Sequence, residues 1–359
     1  MSHTLTLGSK SLRRDGPPYI IAEIGVNHDG DPAKALQLID AAADATCDAV
    51  KFQLFRADLL LAREAGLVDY QKESADSASE LLAPLELSPE QMKPLIAHAK
   101  SRGMAAIVTP FSPALVPACV EIGVDAIKLA SPDLVNRPLV EAAAQTGLPL
   151  IVSTGAAELP EIERTIGWLW KSVAAERTVL LHCVSSYPTP AERATLAAIS
   201  VLRQRFPELI IGYSDHTQET FTAAMAVGCG ATVLEKHLTL DRTAKGPDHA
   251  ASLEPGQMAE FCALARIGYA MRGPFEKQVL PEERGVRRET RQSVVALRDL
   301  PPGTTLSADM LTVKRPGTGI PAADFENVLG KTLTQPVAAN TLLQWADFGE
   351  SSPGAEPAQ

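Results

Sequence analysis

The sequence predicts an α/β fold, a (β/α)₈ TIM barrel followed by a small β-rich module. Three observations predict it. Short apolar segments rich in β-formers recur along the first two-thirds of the chain, each is followed by an Ala/Leu/Glu-rich helix-like stretch, and polar side chains gather at the C-terminal ends of the segments. Roughly eight such units within about 220 residues suit a closed parallel barrel better than an open sheet. A doubly wound sheet is the runner-up, but Gly25-Val-Asn-His-Asp-Gly30 has neither the Gly-x-Gly-x-x-Gly of a dinucleotide turn nor the Lys-Ser/Thr of a P-loop.

In chain order the strand-like segments are Tyr19–Glu23, Ala49–Leu54, Ala105–Phe111, Ala126–Ser131, Pro149–Gly155, Thr178–Val184, Leu209–Ser214 and Thr232–His237. At or near their C-terminal ends stand Glu23, Lys51 and Gln53, Thr109, Lys128 and Ser131, Ser153, Ser185 and Tyr187, Ser214 to His216, and Glu235 to His237. Barrel active sites are built at that face. Lysines at two strand ends would leave buried ammonium groups unpaired at a cost of several kcal/mol, so an anionic ligand is the economical explanation.

The predicted barrel spans residues 1–272. Residues 273–290 contain Gly-Pro, Pro-Glu-Glu-Arg and Arg-Arg with weak periodicity, and read as a linker after which the helices stop. Residues 291–349 return to short strand-like runs with turns at Pro301-Pro-Gly303 and Arg315-Pro-Gly-Thr-Gly319, and 350–359 read as a disordered tail.

Composition excludes several function classes. The chain is 45% hydrophobic and 21% charged with mean hydropathy +0.02, a globular profile without the roughly 20-residue apolar run that spans a bilayer. Its first residues lack a secretory signal, so a soluble, cytoplasmic protein with no membrane partner is expected. Five scattered cysteines, none in Cys-x-x-Cys spacing, argue against a disulfide framework or a zinc knuckle. A net charge of −10 opposes nucleic-acid binding.

His216 and His237 close the seventh and eighth segments, neighbours in a closed barrel, so their imidazoles can converge on one divalent ion completed by water and substrate oxygens. Manganese, magnesium, cobalt and zinc all suit such a pair; the plainer reading is two hydrogen-bonded core histidines. Lys51 and Lys128, with Ser131, Ser153 and Ser214, offer cations and hydroxyl donors for a phosphate or carboxylate. One lysine could instead form a Schiff base, as in a pyruvate aldolase, or simply reach to the rim. Glu23 and Asp248 are carboxylates near these groups, suited either to proton transfer or to orienting a histidine or lysine.

The order and content of several motifs resemble the N-acetylneuraminate (sialic acid) synthase family, including the bacterial legionaminic and pseudaminic acid synthases. The resemblance rests on Ile21-Ala-Glu-Ile-Gly-Val-Asn-His-Asp-Gly30, Val50-Lys-Phe-Gln53, Thr109-Pro-Phe-Ser112, Lys128-Leu-Ala-Ser131, Ser153-Thr-Gly155, Tyr187-Pro-Thr-Pro190, Gly212-Tyr-Ser-Asp-His-Thr217, Glu235-Lys-His-Leu-Thr-Leu-Asp-Arg242 and Gly246-Pro-Asp-His249. The terminal module, with Lys314-Arg-Pro-Gly317, resembles the antifreeze-like (SAF) domain of those synthases.

The resemblance implies a transferase that condenses phosphoenolpyruvate with an open-chain, N-acetylmannosamine-like amino-sugar aldehyde. It implies Lys51, Thr109, Lys128, Ser131, Ser153 and Ser214 around phosphoenolpyruvate, with Glu23 and Asp248 among the catalytic groups. Gln53, Tyr187 and Asp248 would contact the sugar, and His216 and His237 would hold the metal, foremost Mn2+ with Mg2+ or Co2+ as alternatives. Arg315 would come from a partner in a homodimer with exchanged SAF domains. Ser185, Pro132, Asp133 and Thr195 depart from the family pattern, which bears on the acceptor sugar rather than the reaction class. A Schiff-base aldolase and a non-catalytic carbohydrate-binding protein are the competing functions.

Overall fold

The computed structural model describes residues 4–63, 65–66, 77–172 and 175–351. It divides into two units, Met1–Pro274 and Phe275–Gln359. The first unit is the barrel. Its strands are β3 (Tyr19–Glu23), β4 (Ala49–Leu54), β5 (Ala105–Pro110), β6 (Ala126–Leu129), β7 (Leu150–Ser153), β8 (Thr178–Cys183), β9 (Ile210–Asp215) and β10 (Val233–His237). They pair in parallel and in sequence order, and β10 closes the ring on β3 with Val233 opposite Tyr19 and His237 opposite Glu23. All eight strand segments read from the sequence are therefore strands. They stand out because strands buried on both faces read as continuous apolar runs.

The helices on the outer face have equally local causes. Pro32–Asp44 starts with the Asp31 side chain accepting the Ala33 N–H and with proline in its first turn. Pro89–Ser101 carries a full Ser88/Gln91 capping box. Their apolar faces and those of the later helices pack on the outward residues of the strands around Val50, Phe52, Ile127, Ile211 and Leu234.

The sequence reading missed a hairpin that precedes the barrel, β1 (Thr4–Leu7) and β2 (Lys10–Arg13), which pair antiparallel around Gly8 at φ +60°. Its Leu5, Leu7 and Leu12 pack with inward residues from every barrel strand, among them Tyr19, Ala49, Ile107, Ala126, Ile151, Val179, Ile210 and Val233. The hairpin thus plugs the N-terminal end of the barrel. Only the C-terminal half of the interior is left for polar groups.

In the second unit, β11 (Ser293–Ala296) and β12 (Leu311–Lys314) form an antiparallel pair extended by bridges such as Val295 to Leu342 and Leu300 to Val337. They enclose a small core of Val294, Leu306, Ile320, Leu333 and Leu343. The stretch expected to be a linker without helices contains a helix, Glu283–Thr290, none of whose residues is buried. It holds a single aliphatic side chain, Val286, so hydrophobic periodicity had nothing to report. Residues 352–359 of the expected disordered tail lie outside the described residues. Among the described residues, no helix is long and apolar enough to cross a membrane.

Candidate active site

Side chains alternate along a strand, so every second residue of each barrel strand points inward. Above the hydrophobic layer the inward residues turn polar: Glu23 on β3, Lys51 and Gln53 on β4, Thr109 on β5, Lys128 on β6, Ser153 on β7, Ser214 on β9, Glu235 and His237 on β10. The loops that follow add Ser131, Ser185, Tyr187, His216 and Asp248. Together they line one cavity of about 360 Å³, except Glu23, which is wholly buried and ion-paired with Lys51. Of the residues expected at the site, only Arg315 lies in the second unit.

One wall of the cavity is cationic. Lys51 contacts Glu23 and donates to Thr109 Oγ1 at 3.2 Å, while Lys128 lies 3.4 Å from Glu235 Oε1. Burial lowers the Lys51 ammonium to about 8, against the opposing pull of Glu235. Burial alone would raise Glu235; Lys128 and Lys51 outweigh it and hold that carboxyl below its usual range.

The facing wall is imidazole. The His216 and His237 rings are 5.4 Å apart, and Tyr187 packs over them at 4.0 and 5.9 Å. His216 Nδ1 lies 2.8 Å from the Val184 carbonyl oxygen, which assigns that nitrogen a proton; burial alone would lower this imidazole, but Cys183 and the carbonyl outweigh it and raise it, so Nε2 is the nitrogen that a cation would meet in place of a proton. Burial, reinforced by His216 and Lys51, holds His237 neutral, well below its usual range. Asp248 Oδ2 is 3.6 Å from His237 Nδ1, and burial raises that carboxyl to about 6.

Buried polar atoms without a hydrogen-bond partner concentrate here. Ser153 Oγ, Glu235 Oε2 and His237 Nδ1 are all in this state around the one cavity. Such groups cost free energy unless something else meets them, so the cavity is built for a polar ligand. The donor set also fits a divalent cation. Among the described residues no group of three or more His, Cys, Asp or Glu could hold a metal, so a cation here would have two imidazoles and keep open positions for water and substrate oxygens. Glu235 and Asp248 line the cavity and Glu23 lies behind Lys51, so three carboxylates meet two ammonium groups here, and a divalent cation would offset that excess of negative charge.

Two titratable lining residues, Glu235 and Cys183, had been given no role. Glu235 meets Lys128 and accepts a 3.0 Å hydrogen bond from Ser214, and Cys183 stands 3.8 Å from His216 Nδ1. Parity reveals both: Glu235 is two residues from His237, and Cys183 two from the inward Leu181 and from Ser185. Of the positions that depart from the family pattern, Ser185 and Pro132 line the cavity. Asp133 does not line it, and its Oδ1 accepts a 3.0 Å hydrogen bond from Asn136 Nδ2. Thr195 sits outside the cavity, at φ +47° with its hydroxyl 3.3 Å from His182 Nε2. From the stretch between β4 and β5, Leu60 and Leu82 reach the cavity; residues 64 and 67–76 lie outside the described residues.

Comparison with known proteins bears on both units. A NeuB family profile matches residues 38–277 and a SAF domain profile residues 291–349. The chain is 37% identical to the N,N'-diacetyllegionaminic acid synthase of Legionella pneumophila over 91% of its own length and 93% of that protein's. It is 39% identical to the enzyme of the same name from Campylobacter jejuni, over 90% of this chain and 98% of that one. Among solved structures it resembles the N-acetylneuraminic acid synthetase of Leptospira borgpetersenii, with a TM-score of 0.73 and 35% identity over 80% of this chain and 95% of that one.

Proposed function

The chain belongs to the NeuB family, and from that premise we propose that it is a nonulosonic (sialic-acid-type) acid synthase. It joins phosphoenolpyruvate to the aldehyde of an open-chain, N-acetylmannosamine-like amino sugar and releases phosphate by C–O cleavage. The observation that carries this reading is one cavity in which two buried lysines face two buried histidines. Two ammonium groups with hydroxyls suit an anion that bears both phosphate and carboxylate. Two imidazoles with open positions suit a metal, foremost Mn2+, beside an aldehyde.

In this mechanism Lys51 and Lys128 bind the phosphate and carboxylate and offset the charge that shifts toward phosphate, with Thr109, Ser131, Ser153, Ser185 and Ser214 as neutral donors. His216 and His237 would hold the divalent cation, which when bound supplies Lewis acidity toward the aldehyde oxygen. Gln53, Tyr187 and Asp248 orient the sugar. The enol carbon forms the new C–C bond to the aldehyde carbon. The aldehyde oxygen takes up a proton and becomes a hydroxyl; water adds to the carbon that carries the phosphate oxygen, with Glu23, paired with Lys51, as the base that accepts its proton, and the C–O bond to phosphate then breaks as the added hydroxyl gives up its own proton and becomes the ketone oxygen. Water exclusion by the plugged barrel end strengthens each of these electrostatic contacts. A homodimer in which Arg315 enters the partner's site, and a cytoplasmic setting, belong to the same proposal.

The test is phosphate release from phosphoenolpyruvate, with Mn2+ and with EDTA, against N-acetylmannosamine, 2,4-diacetamido-2,4,6-trideoxyhexoses and no acceptor. Release that needs an acceptor and stops with EDTA is the expected result, and the sugar giving the highest kcat/KM names the acceptor. EDTA-resistant release would overturn the metal part of the proposal, whereas borohydride trapping of a lysine with pyruvate, without phosphate release from phosphoenolpyruvate, would overturn the synthase in favour of an aldolase.

A further inference from the structure

The mechanism leaves unused an ion pair on the opposite face of the two histidine-bearing strands. Lys236 and Asp215 point outward from β10 and β9, where their Cα positions are register partners, and Lys236 Nζ lies 2.8 Å from Asp215 Oδ2 with neither side chain exposed at all. The Phe261 ring covers the ammonium at 5.5 Å. A buried pair of this kind is weak evidence for stability, because desolvation offsets most of the attraction.

The remaining bonds of the pair show a different use. Lys236 Nζ donates to the Thr217 carbonyl at 2.6 Å, to Thr217 Oγ1 at 3.2 Å and to the Glu219 carbonyl at 3.2 Å. The Asp215 carboxylate accepts the Thr217 N–H at 2.8 Å, the Tyr213 hydroxyl at 3.1 Å and the Thr222 hydroxyl at 2.5 Å. These bonds bracket His216 on both sides in the chain, at residues 215 and 217, and the lysine that makes them is the residue before His237.

We propose that the Lys236–Asp215 pair is a positioning device that fixes the two imidazoles relative to one another, so that His216 and His237 present their nitrogens to one cation without rearrangement. The pair acts through the backbone. It holds the chain on either side of His216 to the strand that carries His237, and thereby sets the 5.4 Å ring separation. The inference rests on the proposed reading of these histidines as metal ligands. Groups that orient metal ligands without touching the metal commonly tune affinity, whereas a pair that only filled the space under Phe261 would leave metal affinity alone.

The experiment uses a Lys236→Met/Asp215→Asn double variant, so that neither charge is left buried alone, beside wild type and His237→Ala. Three quantities are read on the full chain: Mn2+ affinity from the free-Mn2+ EPR signal, phosphoenolpyruvate binding without metal, and amide hydrogen exchange at Thr217. Wild type is expected to bind one Mn2+ and His237→Ala none. The double variant is expected to bind phosphoenolpyruvate without metal as wild type does, to lose about 10–100-fold in Mn2+ affinity, and to exchange the Thr217 amide faster.

A folded double variant with wild-type Mn2+ affinity overturns the positioning role, whatever its melting temperature. If wild type itself binds no Mn2+, the metal reading falls, and unchanged Thr217 exchange in the variant then overturns the clamp separately. Should the double variant not fold, Thr222→Val and Tyr213→Phe each remove one Asp215 partner. Each is expected to weaken Mn2+ binding by about two- to tenfold, the worth of one hydrogen bond, and no weakening in either overturns the proposal.

Discussion

Replacing Gly155 by alanine separates the anion subsite from the fold. Gly155 follows β7, and a Cβ there would stand 2.2 Å from Ser185 Oγ, 2.8 Å from Ser131 Oγ and 3.0 Å from Cys183 Sγ. All three are the tips of single-bond rotors, and the Gly155 φ is not in the left-handed region. The backbone therefore stays and the hydroxyls swing away, so the stability loss falls below the roughly 1–3 kcal/mol of an overpacked core. Binding suffers more. A hydrogen bond to a charged group contributes about 1.5–3 kcal/mol, so losing one hydroxyl raises the KM for phosphoenolpyruvate by about tenfold to a hundredfold. The assay is phosphate release against phosphoenolpyruvate concentration, with a thermal melt on the same sample. A KM within about twofold of wild type beside a melting temperature lowered by several degrees would refute the reasoning, since it would mean that the backbone yields and the hydroxyls are not at the anion site.

Other perturbations follow from the same geometry. Gly167→Ala, inside the helix Leu159–Lys171 with nothing within 4 Å of the new methyl, should stabilise the protein by about 0.5–1 kcal/mol without changing KM; a lower melting temperature contradicts it. Burial raises Asp248 from its ordinary 3.8 to about 6, so the folded state binds that proton more tightly than the unfolded one and stability falls as pH rises from about 4 to 6, by on the order of 3 kcal/mol. Asp248→Asn in metal-free protein should thus melt higher than wild type at neutral pH but not near pH 4, and an equal change at both would refute the assignment. With Lys51 lowered to about 8, the KM for phosphoenolpyruvate should climb as pH passes that value and the ammonium is lost; a flat profile to about pH 9.5 argues against its role. Thr195, a β-branched residue at φ +47°, should become Asn with a gain of roughly 1 kcal/mol, read as a higher denaturant midpoint, because asparagine tolerates that region better.

Much of the molecule could be read from sequence for a physical reason. Each barrel strand lies under helices on one side and the barrel interior on the other, so Ile20 to Ala22 or Leu180 to Leu181 have no solvent-facing member to interrupt the apolar run. The polar residues at the strand ends break those runs, which is why the cavity-lining lysines, serines and histidines stood out. Glu235 stands at a strand end as well but drew no role, because it is adjacent to Lys236 and only the strand parity separates a residue facing the cavity from one facing Phe261. The Thr4–Arg13 hairpin was hidden by its length, four residues per strand, too few for alternation to register. The helix Glu283–Thr290 offered no apolar stripe at all. Asp133 shows what a pattern does not carry: it follows the cavity-lining Pro132 in the chain, but its carboxylate is bound by Asn136, and that depends on a rotamer.

The hairpin that seals the barrel also imposes an order on its assembly. Leu5, Leu7 and Leu12 leave the ribosome before any barrel strand, yet the ring that receives them is complete only when β10, ending at His237, has closed on β3. At the usual pace of synthesis about 230 residues take on the order of ten to fifty seconds, during which the hairpin has only part of the ring to pack against. Residues made before every barrel strand are thus among the last to reach their final burial, and closure of the barrel is the event that completes their surroundings.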